Sequence, residues 1–192
     1  GAKNTTGESV AVITVDKKTE RITRAELDKK KAEYAAAGQN MTDSEVLDIL
    51  KSNTTCTLAL IGENGYPYSL PISYCYDEGN IYFHCAKVGH KIDCIKNCDS
   101  ISLSVIEHDE IIEEKFTDKY KSVVVFGKVE IIDDEKEIRR LCRKMCAALC
   151  PNVSDGIEKE IEQFIEQTAV VKITIEHMTG KEGLEFLKER ER

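Results

Sequence analysis

The residues best suited to chemistry lie in one short stretch, where a predicted strand gives way to a helix. Gly89, His90 and Lys91 follow the strand Ile81–Cys85 and open that helix. The first turn of a helix presents unpaired N–H groups and the positive end of the helix dipole, and both attract phosphate. Basic residues are uncommon at this position. The pattern therefore predicts a phosphate clamp, with an exposed basic turn in an acidic protein as the alternative.

His84 lies in the same strand, close to the predicted clamp. Tyr82 and His84 are two residues apart, so a strand places both side chains on one face. That face is either a ligand pocket or a half-buried surface, and a single strand histidine is more often structural. Its position just before the clamp makes His84 the candidate catalytic residue.

The eight cysteines favour reduced thiols over disulfides or metal sites. No secretory pattern is visible, so we expect a reducing cytoplasm. No C-x-x-C pair is present, which removes the common zinc and redox spacings. Two runs with a cysteine or histidine at every fourth residue leave a soft metal as the alternative; they are His90-Cys94-Cys98 and Cys142-Cys146-Cys150. Because cysteine is also a small buried hydrophobe and Cys142 falls in an apolar stripe, we interpret the triplet Cys142, Cys146 and Cys150 as core thiols and expect no metal.

These residues must be positioned by a fold that alternates short strands with tight turns. Strand-forming residues concentrate in six stretches, which are Cys56–Ile61, Pro67–Tyr76, Ile81–Cys85, Ile101–Ile106, Ser122–Ile132 and Ala169–Ile175. The acidic stretch 107–118 is predicted to be a solvated loop. An amphipathic helix is predicted over Glu135–Cys150, and a second one follows it. The pattern indicates a mainly β (α+β) protein, a small antiparallel barrel with helices outside it.

Three local signals refine this picture. Thr42 and Glu45 form a capping box that starts a short helix. Pro71 lies inside a strand pattern but cannot donate a ladder hydrogen bond, so it marks an edge, a bulge or a place where a ligand meets the backbone. Gly127 predicts a bulge or a barrel bend. Residues 1–40 differ from the remainder and read as an N-terminal extension, which leaves residues 41–192 as the main domain.

Composition excludes several classes of protein. Hydrophobic residues make up 41% of the chain and charged residues 32%, a balance that can bury a core. The net charge of −8 argues against a nucleic-acid partner bound through phosphate neutralisation. No apolar run approaches the roughly 20 residues of a membrane span, so no membrane partner is expected.

Several ordered blocks together resemble the nitroimidazole-resistance (nitroimidazole reductase-like) proteins of the pyridoxamine 5′-phosphate oxidase-like flavin-binding split barrels. The blocks are Asn64–Tyr74, Asp77–Ala86, Gly89–Lys91, Ser122–Glu130 and Thr174–Glu182. The resemblance covers residues 41–192 and leaves the extension unexplained. It implies a six-stranded antiparallel Greek-key split β-barrel that forms a homodimer, with FMN at the subunit interface.

The resemblance also implies roles for individual residues. The strand formed by Ser69, Leu70, Pro71, Ile72 and Ser73 would run beside the isoalloxazine ring, partly through its backbone groups. His84, Cys85 and Ala86 would flank the flavin. Gly89, His90 and Lys91 would hold its phosphate. Where the family's true oxidases carry an arginine, this chain has His90, which implies weaker or pH-dependent phosphate binding.

The function implied by the resemblance is reduction of small electron-poor molecules, such as nitro compounds, by FMN-dependent hydride or electron transfer. The C-terminal arginine and histidine motif of the true oxidases is not visible, so oxidation of pyridoxamine phosphate is not expected. The alternative is a flavin- or haem-binding sensor or storage protein without turnover. A haem would need an axial ligand, for which His84 is again the best candidate.

Overall fold

The computed structural model describes residues 39–153 and 155–190. The predicted N-terminal extension lies outside the described residues, apart from Gln39 and Asn40, and stays a prediction. The described residues form seven strands, which are β1 (Thr55–Ile61), β2 (Pro67–Ser73), β3 (Cys75–Asp77), β4 (Asn80–Ala86), β5 (Ser100–Ile112), β6 (Thr117–Ile132) and β7 (Thr168–Glu182). They also form five α-helices, which are α1 (Asp43–Ser52), α2 (His90–Asn97), α3 (Glu135–Leu149), α4 (Ile157–Phe164) and α5 (Leu184–Arg190).

All neighbouring strands are antiparallel, and their order in the sheet is β2-β1-β5-β6-β7-β4-β3. The two strands at the ends of this order, β2 and β3, follow each other in the chain and are separated by Tyr74 alone. The sheet therefore curls around one core, to which six of its strands contribute buried side chains together with α1 and α2. The predicted mainly β class with flanking helices is confirmed.

The seven strands differ from the expected six because the predicted strand Pro67–Tyr76 divides at Tyr74. The Tyr74 side chain is fully buried, and its hydroxyl donates to the Leu50 carbonyl at 3.0 Å. Its backbone N–H donates to Thr54 at 2.8 Å. Tyr74 thus ends the pairing with β1, and the next residues pair with β4 instead.

The prediction of a loop over residues 107–118 is wrong. β5 continues to Ile112 and pairs with the start of β6, so the turn itself spans only a 3₁₀ segment at Glu113–Lys115 and Phe116. Opposite charges across the pair support the ribbon, since Glu110 faces Lys119. The stretch is exposed, as expected, but it is exposed as a strand.

Gly127 lies at the predicted bulge. The pairing of β6 with β7 shifts register between Phe126 and Gly127. A Cβ at Gly127 would stand 2.3 Å from the Thr174 carbonyl oxygen, closer than any side chain could approach. Glycine is therefore required at this register shift, because a Cβ there would overlap the backbone of β7.

The helices cover two different parts of the barrel. The capping box of α1 is confirmed, because the Thr42 hydroxyl accepts from the Glu45 N–H and the Glu45 carboxylate accepts from the Thr42 N–H. The helices α3 and α4 pack on the outer face of the sheet and form a second apolar cluster with Tyr82. None of the helices among the described residues is long and apolar enough to cross a membrane.

We expect Tyr74→Phe to lower the free energy of unfolding by about 1–3 kcal/mol, because the Leu50 carbonyl would be buried without its donor. The matched control is Tyr66→Phe. Tyr66 is 74% exposed, so the loss of its hydroxyl should change the free energy of unfolding by less than about 0.5 kcal/mol. Urea denaturation measures both values. Equal stability of the two variants would show that the Tyr74 hydroxyl does not hold the strand break.

Candidate functional site

The outer edge of β2 is the first component of the site. Two hydrogen bonds fix which residues face β1, because the Tyr66 carbonyl accepts from Gly62 at 2.9 Å and the Tyr74 N–H donates to Thr54 at 2.8 Å. Backbone groups in an antiparallel strand alternate in direction from residue to residue. Even-numbered residues of β2 therefore bond to β1, and the odd-numbered ones direct their N–H and C=O groups away from it.

Pro67, Ser69, Pro71 and Ser73 are the outward-facing residues. Neither proline costs a ladder hydrogen bond there, which confirms the edge interpretation of Pro71. Among the described residues β2 pairs with β1 alone, so the N–H groups of Ser69 and Ser73 and the neighbouring carbonyls face solvent. The side chains of these four residues are exposed as well.

The even-numbered residues of β2 turn inward. Ile72 is buried in the barrel core, and Leu70 and Tyr68 pack against that core. The family resemblance places Leu70 and Ile72 beside the flavin ring. Because their side chains face the barrel core, they could support such a ring only from the far side of the strand. The other three residues that the resemblance places there, Ser69, Pro71 and Ser73, are exposed on the outer side of β2.

The end of β4 is the second component. His84 and Ala86 are exposed, and Cys85 is half-buried on the opposite face. Tyr82 shares the face of His84, as predicted, but is itself covered by the helices α3 and α4. The strand thus passes from a covered to an open surface at His84.

The protonation of these groups follows from their surroundings. Although the His84 side chain reaches solvent, partial burial lowers its pKa below the usual value, and the nearby positive charge of Lys91 lowers it further. Burial raises the pKa of the Cys85 thiol, against a smaller opposing effect of Lys91. At neutral pH the structure therefore presents a neutral imidazole and a neutral thiol beside a lysine cation.

The third component is the N-terminus of α2. Gly89 is the N-cap residue with φ +127°, and no side chain of the described residues caps the helix. The Ile92 N–H donates to the Gly89 carbonyl at 2.8 Å, which leaves the N–H groups of His90 and Lys91 open. Lys91 forms no ion pair with a carboxylate of the described residues; its ammonium group lies 5.6 Å from the ring centroid of Phe83. An unpaired cation next to open N–H groups is an anion-binding arrangement.

Contacts between side chains bring the three components together. The rings of Tyr68 in β2 and His90 in α2 meet edge to face, with centroids 4.7 Å apart. Lys91 reaches from α2 to Phe83 in β4 and influences His84. Segments that lie up to about twenty positions apart in the sequence thus form one surface. The sequence analysis missed Tyr68 and Phe83, which are visible only once the inward face of each strand is known.

The donor set suits a ligand with two chemically different ends. An anionic group would be held by Lys91, His90 and the open N–H groups of α2. A planar heterocycle with hydrogen-bonding edges would match the alternating N–H and C=O groups of β2, as in strand-edge recognition of extended ligands. These residues therefore suit a ligand with an anionic group at one end and a planar ring at the other.

Two cavities among the described residues are not lined by the predicted site residues. A cavity of about 490 Å³ is lined by residues including Lys87, Ile92 and Lys96, and another of about 310 Å³ lies beside α1; neither includes a predicted site residue. The described residues contain no cluster of three side chains that could hold a metal.

The cysteines of α3 only partly match their interpretation as core thiols. Cys142 packs against the second apolar cluster, and Cys146 is half-buried. Cys150 is exposed at the C-terminal end of the helix, so its assignment to the core is wrong. The helix ends at Leu149, because Pro151 disfavours helical backbone at Cys150, the residue before it.

Comparison with known proteins identifies the sequence relationship. The family described as pyridoxamine 5′-phosphate oxidase has a sequence model that matches residues 42–182. No curated protein matches the chain significantly.

Solved structures share the fold at low sequence identity. A candidate 5-nitroimidazole antibiotic resistance protein from Bacteroides thetaiotaomicron is 19% identical with a TM-score of 0.62, over 74% of this chain and 85% of that chain. An FAD-binding protein from Mesorhizobium loti is 23% identical with a TM-score of 0.57, over 76% and 97% respectively. The FAD and heme binding protein of Mycobacterium smegmatis is 17% identical with a TM-score of 0.63, over 76% and 73%.

We expect the imidazole of His84 to titrate below its usual pKa of about 6.5. Lys91→Ala should raise that pKa only partway, because burial is the larger cause and remains. Lys87→Ala is the matched control and should leave it unchanged. NMR titration of the ring protons measures all three. A wild-type pKa at or above the usual value would contradict the described environment.

Proposed function

The chain belongs to the pyridoxamine 5′-phosphate oxidase family, and from this premise we propose that it binds FMN and reduces small electron-poor molecules of the nitro type. The observation that carries the proposal is the position of Lys91. Among the described residues it pairs with no carboxylate, and it lies at the uncapped N-terminus of α2, next to the open edge of β2. A bound flavin would supply the hydride or electron transfer.

The phosphate end is the part of the ligand that the chain's own charges select. The protein carries a net charge of −8, so a flavin phosphate approaches an unfavourable surface except where cations are free. Lys91 is such a cation, and the N–H groups of the first turn of α2 add directed donors. Riboflavin lacks the phosphate, so Lys91 and these N–H groups would favour FMN over riboflavin.

The ring end would be oriented by backbone groups, which do not titrate. Ser69 and Ser73 offer outward N–H donors, and the prolines between and beside them keep that edge from pairing with another strand. Exposed serine and proline side chains leave room for a flat ring to approach the backbone. His84 is neutral at neutral pH, so it would serve as a hydrogen-bond partner and proton acceptor beside the reacting ring.

The site needs a second wall, and we propose that a second copy of the chain supplies it. The outer side of the β2 edge is open among the described residues. Tyr66, directly before β2, is 74% exposed, and Val88, directly before the N-cap of α2, is 81% exposed. Large apolar side chains on both flanks of the site are typical of an interface. Sedimentation should give about twice the chain mass, whereas a monomer that binds FMN stoichiometrically would contradict the shared site.

A second candidate function is flavin or haem binding without turnover. It is favoured by the exposed His84, which could serve as an axial ligand, and by the fold shared with a protein that binds FAD and heme. The absorption spectrum of the purified protein separates flavin from haem. Anaerobic mixing with a nicotinamide donor and a nitro acceptor then separates a reductase from a binder. All eight cysteines, each within the described residues, are free thiols, which suits the reducing cytoplasm we propose.

We expect Lys91→Ala to weaken FMN binding at least about tenfold, since a charge-assisted hydrogen bond contributes roughly 1.5–3 kcal/mol. Riboflavin binding should change little. Lys136→Ala, on the exposed start of α3, is the control for loss of one positive charge. Flavin fluorescence titration measures each affinity. Equal losses for FMN and riboflavin would refute the phosphate role of Lys91.

A further inference from the structure

His90 is held from two sides, although its side chain reaches solvent. Its Nε2 atom lies 3.7 Å from the Sγ atom of Cys94, one turn further along α2. The Tyr68 ring meets its imidazole edge to face at 4.7 Å. The orientation of the ring is thus set before any ligand binds.

The hydrogen bond between His90 and Cys94 has a preferred direction. Cys94 is fully buried, and burial raises the pKa of its thiol, with further upward effects from Asp93 and Glu63. The proton therefore stays on the sulfur. A neutral imidazole nitrogen is a better acceptor than a thiol sulfur, so the S–H group donates to Nε2 of His90.

This direction determines where the proton of His90 lies. A neutral imidazole carries one N–H, and its second nitrogen is an acceptor. With Nε2 accepting from Cys94, the proton is on Nδ1, the nitrogen that the thiol does not engage. Histidine free in water prefers the opposite tautomer, so the protein must impose this one.

We propose that Cys94 is a positioning residue that fixes His90 in the Nδ1–H tautomer, so that His90 meets the ligand's phosphate as a neutral hydrogen-bond donor. This inference rests on the phosphate role of His90 in the proposed function. It assigns different tasks to two neighbouring residues. Lys91 supplies the positive charge, and His90 supplies an Nδ1–H donor in a fixed direction without a positive charge on its ring.

The charged groups near His90 are compatible with this division of roles between Lys91 and His90. Lys91 is adjacent on the helix and already supplies a positive charge at this end of α2. Asp93 follows in the same turn, and Glu63 lies in the turn between β1 and β2; both are close enough to influence Cys94. Tyr68 contributes a ring contact rather than a charge. Phosphate binding through a neutral donor should therefore not require a charge on His90 and should persist at pH 8.

The test begins with the wild-type protein without flavin. Nitrogen-15 NMR of the His90 ring at pH 8 should show Nδ1 protonated and Nε2 unprotonated. Cys94→Ala should convert the ring mainly to the Nε2–H tautomer, and Cys94→Ser should restore the wild-type pattern, because a hydroxyl can donate in the same way. Cys98→Ala, on the same helix, should leave the tautomer unchanged.

Binding at pH 8 gives the second readout. Cys94→Ala should weaken FMN about three- to tenfold, the range of one hydrogen bond, leave riboflavin unchanged, and recover FMN affinity in Cys94→Ser. A wild-type Nε2–H tautomer would overturn the inference whatever the flavin affinity, and needs no variant to fold. An Nδ1–H wild type that binds no FMN would instead overturn the proposed function and this role of His90 with it.

Discussion

The open outer edge of β2, and the site built on it, depend on the point where the chain stops pairing with β1. Tyr74 is bound to Leu50 and Thr54 through its hydroxyl and its N–H. This anchoring fixes the register of β2, and with it the direction in which every backbone group of that strand points. If the register slipped by one residue, the core-facing and solvent-facing side chains would exchange and the prolines would face β1. The open edge of β2 is therefore a consequence of the anchoring of the buried Tyr74.

The same barrel also determines where positive charge can act. Most cations of the described residues are neutralised in ion pairs, as Lys172 is by Glu130 and Arg143 by Glu158. Lys91 instead lies over the Phe83 ring at the uncapped end of α2. In a protein with a net charge of −8, an unpaired lysine beside open N–H groups defines a local preference for anions. In the function we propose, selectivity for a phosphate would come from this corner of the molecule, and recognition of a ring from the backbone of β2.

Local signals in the sequence predicted local structure well. Pro71 indicated an edge and Gly127 a bulge, because each residue type has a backbone restriction that holds in any fold. The acidic stretch after Ile106 was mistaken for a loop, since its strand conformation depends on lysines of β6 that only pairing brings opposite. The break at Tyr74 was missed for the same reason, as its partners lie in α1 and the segment after it. The four-residue spacing of His90 and Cys94 is visible in the sequence, with a metal only as the alternative, but their hydrogen bond is not, because spacing does not show how the two side chains are oriented.

The central claim is that outward backbone groups of β2 bind the flavin ring, and amide hydrogen exchange tests it most directly. The amides of Ser69 and Ser73 face away from β1, so they should exchange rapidly in the protein without ligand. Saturating FMN should slow both, while the amides of Leu70 and Ile72, already bonded to β1, should change little. Unchanged exchange at Ser69 and Ser73 with FMN fully bound would contradict the account.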